Sequence, residues 1–244
     1  MKVSAIVNCC YEGLLIERSL DSAIRSIAAS GLGDQCELIA VADNASKTTL
    51  AVLSEYSNRL DRVIRTDFSD LGLARNAGCE IAQGELLLFL DGDDLWGANW
   101  VGAAWSEYLK SPQETILHPQ YCVFFGSRTE VLIHPDWRDP DFDPREIISH
   151  NPWIALCGVR RTLLAELRFP AVDRELRFGF EDWSWYADTI AQGFRHSAVP
   201  GTVHFVRLKA IDSMQKSMRG HYRIPSRDFA EYLAADDPTR PYNL

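Results

Sequence analysis

Leu86-Leu87-Leu88-Phe89-Leu90-Asp91-Gly92-Asp93-Asp94 is the stretch on which the fold turns. Five apolar residues in a row read as a strand buried on both faces, the pattern of a parallel sheet covered by helices. The run ends in three carboxylates within four residues. In open α/β sheets ligands sit at the carboxyl ends of strands, so these acids fall where a site is expected. Carboxylates are hard oxygen donors. At this density they suit a divalent cation, Mg2+ or Mn2+, bridging the phosphates of a substrate. The same letters also fit a solvated acidic turn, because Asp and Gly favour turns. An EF-hand does not fit: Gly92 stands second in such a loop rather than sixth, and no Glu follows at the twelfth position.

Upstream, strand and helix patterns alternate. Val3 to Cys9 reads as a buried strand and Glu12 to Ser30 as a helix, with Ile16, Leu20, Ala23, Ile24 and Ile27 at helical spacing and Gly31 as its cap. Glu37 to Ala42 is a second strand, Ser46 to Tyr56 a helix, Arg62 to Arg65 a short strand, and Leu71 to Ala82 a helix stopped by Gly84. This order predicts an α/β fold, a mostly parallel, doubly wound, Rossmann-like sheet. Downstream the pattern changes. Trp100 to Leu109 reads as a helix, and Thr115 to Asn151 as irregular chain with short β-like runs at Tyr121–Phe125 and Val131–Ile133. His118-Pro119, His134-Pro135 and His150-Asn151-Pro152 recur at a spacing of 16 residues and read as turns between short strands, the recurrence itself as coincidence. Arg160 to Leu167, Glu181 to Gln192 and Asp228 to Ala235 are expected helices, and Thr202 to Arg207 a late strand.

The chain has 244 residues, 46% of them hydrophobic and 24% charged, enough for one large α/β domain. A net charge of −9 gives no reason to expect nucleic acid as a partner. No apolar run approaches the roughly 20 residues of a membrane span. The six cysteines form no CxxC pair and several lie in apolar runs, so reduced core thiols and a cytoplasmic setting are expected.

A second acidic feature, Glu181-Asp182, stands between Phe178-Gly179-Phe180 and Trp183-Ser184-Trp185-Tyr186. A helix dipole accounts for acids at a helix start. It does not account for their aromatic setting, which can raise a carboxyl from its reference near 4 toward a useful base. His204, alone in a late strand, reads as structural or as a ligand. Lys209, Lys216, Arg219, His221, Arg223 and Arg227 gather positive charge in the C-terminal tail of an acidic chain. Such a run is a solvated face or a lid that closes over phosphates. The first strand runs into Asn8-Cys9-Cys10-Tyr11-Glu12-Gly13, with no GxGxxG; P-loop and GxSxG patterns are also missing from the chain.

The order of these motifs resembles family 2 of the nucleotide-sugar-dependent glycosyltransferases, which have the GT-A fold. The likeness runs from Val3 to about Arg207. Val41-Ala42-Asp43-Asn44-Ala45-Ser46 resembles the family's V-D-D-G-S segment, and Gly72-Leu73-Ala74-Arg75-Asn76-Ala77-Gly78 its G-x-x-x-R-N-x-G helix start. Leu88 to Asp94 resembles the D-x-D strand end, and Gly179-Phe180-Glu181-Asp182-Trp183 the G-x-E-D-W motif. Asn8-Cys9-Cys10-Tyr11 departs from the usual Pro-x-Tyr-Asn, and Ala42 and Asn44-Ala45 replace an Asp and Gly-Ser. The departures bear on the base contact rather than the fold.

The resemblance implies an inverting transferase that moves a sugar from a nucleoside-diphosphate sugar, a UDP-sugar first, to a hydroxyl of a glycan or lipid-linked glycan. Asn8, Asp43, Arg75, Asp91 and Gly92 would bind the nucleotide sugar. Asp93, Asp91 and His204 would hold Mn2+ or Mg2+. Asp182 would be the general base, with Glu181 orienting the acceptor or tuning Asp182. Residues 1–207 would form one domain, 1–95 serving the nucleotide sugar and 96–207 the acceptor side. Residues 208–244 would form a basic tail, with Lys216, Arg219, His221 and Arg223 as lid residues. Association would be at most peripheral, at the inner face of a membrane. Three rivals have other signatures. A non-catalytic sugar-binding module needs no Asp93, Asp182 or His204. A nucleotidyltransferase carries a Gly-rich loop after its first strand, and a retaining transferase has no use for the Glu-Asp pair.

Overall fold

Strands β1 (Val3–Cys9) and β2 (Cys36–Asp43) are buried at every position. They are apolar on both faces because helices cover both sides. A computed structural model describes residues 1–154, 157–171, 181–209 and 227–234. In it β1 pairs in parallel with β2 and with β4 (Leu86–Asp91), and β2 with β3 (Arg62–Thr66). Helix α1 (Ile16–Ala29) packs with α2 (Lys47–Glu55) and α4 (Trp100–Tyr108). Helix α3 (Leu71–Ile81) packs with α5 (Arg161–Glu166) and α6 (Glu181–Ala191). These are the two helical layers of the expected doubly wound α/β fold.

Local chemistry sets the helix ends. Ser46 Oγ accepts the Thr49 amide at the start of α2, and Asp70 Oδ1 accepts the Leu73 amide at the start of α3. Gly78 lets α3 lie against the sheet: a Cβ there would come within 2.7 Å of the Ile6 side chain.

The second half of the sheet is mixed. Its order is β3-β2-β1-β4-β8-β6-β9-β5, with β7 on β6. Strands β5 (Leu95–Trp96) and β8 (Gly158–Arg160) are too short to leave a period in the sequence. Strand β7 is Glu130–Ile133. Strand β6 spans Thr115–Gly126 and β9 spans Arg195–Leu208, both longer than the expected Tyr121–Phe125 and Thr202–Arg207. The expected turn at His118-Pro119 is therefore corrected: it lies inside β6. Proline cannot donate to the ladder, and the β6–β9 register shifts between Pro119 and Tyr121 to accommodate it.

The recurrence of histidine carries no common role: His150 is exposed, whereas His118 and His134 are buried. His118 lies against His134, Trp153, Tyr186 and the buried His196, which stacks on Trp153. His196 Nε2 lies 2.9 Å from Thr189 Oγ1, and its Nδ1 lies 2.9 Å from His118 Nε2. Thr189 Oγ1 donates to the Tyr186 carbonyl, so His196 must donate to Thr189 and accept from His118. None of the six cysteines is in a disulfide.

Helix α7 (Arg227–Ala234) packs on α6, with Phe229 fully buried in the common core. The segment after residue 207 thus contributes to the core. The four lid residues and Phe178-Gly179-Phe180 lie outside the described residues.

Candidate active site

The turn after β4 closes when the Gly92 amide donates to the Asn8 carbonyl at 2.7 Å. A Cβ on Gly92 would sit 3.0 Å from that oxygen. The turn then sends its three carboxylates in different directions. Asp91 lies 3.3 Å from Arg75 Nη2, and Asp93 lies 2.8 Å from Lys209 Nζ. Asp94 turns inward: it accepts the Arg207 amide at 2.8 Å and faces His204 Nε2 at 3.4 Å. Asp94 therefore ties the acidic turn to β9. Burial pushes the Asp91 carboxyl up to about 6, with Arg75 pulling it back and Asp94, Asp93 and Glu181 adding to the rise. Asp94 is raised well above the usual range by burial and then by Asp93. Burial lowers His204 to about 4, so it is neutral at pH 7.

Arg75 joins the two acidic motifs. It is 2% exposed, and its Nη1 donates to Glu181 Oε1 at 2.7 Å while Nη2 faces Asp91. The guanidinium also sits 5.4 Å from the Phe169 ring centre. Residues 75, 91 and 181 thus meet although 106 positions separate the first from the last. Glu181 is raised by burial and lowered by Arg75. Asp182, next along α6, is half-buried and accepts the Asn151 amide at 3.2 Å. Burial raises its carboxyl, while Arg75 and the Trp183 amide lower it.

Across from Asp91 in the β1–β4 register stands an unsatisfied group. Asn8, at the carboxyl end of β1, is buried, and among the described residues neither side-chain polar atom has a partner. Such atoms are costly unless something binds them. Asp43 is differently placed: Oδ1 accepts Thr66 Oγ1 and the Phe68 amide, and Oδ2 accepts the Asp70 amide. It organises the loop entering α3 as well as lying at the strand end. Asn44, just after β2, and Ser69, just before α3, both at positive φ, hydrogen-bond each other and tie the two loops together.

The expected metal ligands Asp91, Asp93 and His204 are not gathered into one cluster. Among the described residues no group of three or more His, Cys, Asp or Glu side chains is arranged to hold a metal. His204 instead backs Asp94. Asp91 and Asp93 remain, both partly buried, and a Mg2+-like ion is held by one or two carboxylates plus substrate phosphates. Asp93 already attracts a cation, Lys209. The oxygen donors therefore fit a divalent ion completed by the substrate. Two site residues carried no clear sequence signal. Glu12 follows Tyr11 at the strand end, is raised by burial, and feels Asp93 and Lys209. Asn151 reaches Asp182 from an irregular loop.

Comparison with known proteins follows the same lines. The family described as "Glycosyl transferase family 2" matches residues 4–167. A poly(ribitol-phosphate) beta-glucosyltransferase of Bacillus spizizenii is 29% identical over 120 residues, 48% of this chain and 18% of that protein. The Escherichia coli UDP-Glc:alpha-D-GlcNAc-diphosphoundecaprenol beta-1,3-glucosyltransferase WfgD is 25% identical over 167 residues, 65% of this chain and 62% of that protein. The chain thus spans less than two thirds of either relative. Staphylococcus aureus TarS 1-349, solved with UDP-GlcNAc, shares the fold: TM-score 0.67, 22% identity, 96% of this chain and 64% of that one.

Proposed function

This chain belongs to glycosyl transferase family 2, and on that premise we propose that it moves a sugar from a UDP-sugar to a hydroxyl of a glycan or lipid-linked glycan, with inversion. One observation carries the reading. Arg75 bridges Asp91, at the strand end, to Glu181, which sets a phosphate-side acid and the immediate neighbour of the base candidate Asp182 on one buried cation. The names of the relatives support the donor and acceptor classes: one uses UDP-Glc on a diphosphoundecaprenol-linked sugar, and a fold neighbour was solved with UDP-GlcNAc.

In this mechanism Asn8 and Gly92 line the nucleotide's place, the former through its two unpaired side-chain atoms. Asp43 would reach the nucleoside with its remaining acceptor capacity. Asp93 and Asp91 would hold a divalent ion, Mn2+ or Mg2+, which supplies Lewis-acid neutralisation of the departing diphosphate. Lys209, released from Asp93, adds positive charge nearby. Arg75 keeps Glu181 and Asp91 ionised by opposing the effect of burial on both. Asp182 takes the acceptor hydroxyl's proton as the oxygen attacks the anomeric carbon. Glu181, held by Arg75, fixes the start of α6 and thereby Asp182. Among the described residues no helix is long and apolar enough to cross a membrane. A lipid-linked acceptor would bring the chain peripherally to the inner face of a membrane from the cytoplasm.

The test is a panel of UDP-, GDP- and dTDP-sugars, scored by thermal shift with and without Mn2+ and then by nucleotide release. A ligand that binds the native state raises its apparent stability. UDP-sugars should stabilise most, and chelator or Asp93→Asn should abolish most of the shift. Asp182→Asn should keep the shift and lose about 10²–10⁴ in turnover. Donor binding without turnover under any acceptor would make this a binding module instead. Transfer by Asp182→Asn at the wild-type rate would remove that residue from the base role.

A further inference from the structure

Asn151 lies just before Pro152 and Trp153, and its side chain is used at both ends. Oδ1 accepts the Trp153 amide at 3.3 Å, which fixes the orientation of the amide plane. Nδ2 must then be the atom 3.2 Å from Asp182 Oδ2, where it can only donate. The loop cannot drift, because Trp153 is fully buried. Its indole donates to the Pro135 carbonyl at 3.0 Å and stacks on His196 with ring centres 4.0 Å apart. His196 is held by Thr189 of α6 itself, at 2.9 Å. The histidine and tryptophan cluster thus forms a pedestal that references Asn151 to the helix carrying Asp182.

We propose that Asn151 is a positioning residue for Asp182: its amide holds one carboxylate oxygen so that the other is presented to the hydroxyl being deprotonated. The proposal rests on Asp182 being the base. A carboxyl at a helix start can rotate about χ2, and only some rotamers direct a free oxygen at a substrate. A donor on one oxygen selects among them and favours the ionised form that can accept a proton. Among the described residues, the charged and titratable groups around Asp182 are Arg75 from α3, Asp91 from β4, and Glu181 and Tyr186 from α6, together with Cys157. All of these are in place without Asn151, so its removal changes a hydrogen bond and leaves the surrounding charges as they were.

The experiment uses the full chain, UDP-glucose and MnCl2, with UDP release to water as the turnover readout. The Asp182 carboxyl carbon, assigned by its loss in Asp182→Asn, is followed by 13C NMR across pH. Asn151→Ala removes both bonds. Asn151→Ser keeps an oxygen for the Trp153 amide but is too short to reach Asp182, so it separates loop shape from the carboxylate contact. Both variants should lower kcat by roughly tenfold with KM for UDP-glucose changed less than about twofold. Neither should reduce turnover further in an Asp182→Asn background. In both, the Asp182 titration should move to higher pH. Wild-type kcat in Asn151→Ser, or an unmoved Asp182 titration in both variants, overturns the proposal. If the wild type releases no UDP, the NMR result alone decides it. If Asp182→Asn keeps full turnover while the titration still moves, the base assignment fails and the hydrogen bond stands.

Discussion

Arg75→Met tests the bridge between the two acidic motifs. The substitution keeps a flexible apolar stem and removes the charge from two carboxylates, Glu181 at 2.7 Å and Asp91 at 3.3 Å. Arg75 and Glu181 are almost fully buried, so solvent cannot take over the cation's part. Breaking such a pair by removing one partner costs about 3–5 kcal/mol, because a buried charge is left uncompensated. In a domain of this size each kcal/mol lowers Tm by about 2–4 °C, so the loss should be roughly 6–20 °C near pH 8. The sign of the pH dependence follows. Burial raises both carboxyls and Arg75 pulls them down. Without Arg75 both rise further, and the folded variant takes up protons that the unfolded chain, with carboxyls near 4, does not. The deficit is therefore full at high pH and shrinks as pH falls through the raised values toward 5. Thermal melts at pH 8, 7, 6 and 5 measure it. A deficit below about 2 °C at pH 8, or one equal at pH 8 and pH 5, would refute the reasoning.

Two further tests use groups outside the bridge. Burial lowers His134 to about 4 from the usual 6.5, so below pH 6.5 the unfolded chain takes a proton that the folded one refuses. Wild-type stability should fall by about 1.4 kcal/mol per pH unit on this account, while His134→Gln, which can both donate and accept in its place, should escape that loss, gaining about 3 kcal/mol on wild type by pH 4. Parallel urea-denaturation curves against pH would contradict it. Lys209→Met frees Asp93 from a cation 2.8 Å away, and Lys209 is 40% exposed, so the pair is a weak one. Mn2+ affinity without nucleotide should rise about two- to fivefold by calorimetry; no rise would mean that Lys209 and the ion do not share Asp93.

The parallel half of the fold was legible because its signals are local and repeated. The Leu86–Leu90 run and the alternation before it placed β1 to β4, α2 and α3 within one residue, while α1 starts at Ile16, four residues after the expected Glu12, behind a short 3-10 turn at Gly13–Leu15. Capping residues such as Ser46 and Asp70 carry their meaning in the adjacent turn. The mixed half was not legible in the same way. Strand β6 contains His118 and Pro119, which read as a turn, and it is a strand only because β9 lies along it and yields a register shift at the proline. Strands β5 and β8 have two and three residues, below the length at which a period exists.

The site divides along the same line. That Asp91, Asp93, Glu181 and Asp182 carry the chemistry was an expectation from density of charge and order of motifs, which a sequence displays directly. Which carboxylate faces which cation was decided by the tertiary structure. Arg75 meets Glu181 across 106 residues, Asp94 turns in toward His204, and Asn151 reaches Asp182 from a loop with no pattern. Sequence by itself determined the strands and helices of the parallel half and the residue types at their ends, since periodicity and capping act over a few residues. Only the folded chain decided the partners, because a buried charge is satisfied by whatever the packing brings within about 3 Å of it, and that choice is made by contacts far apart in the chain.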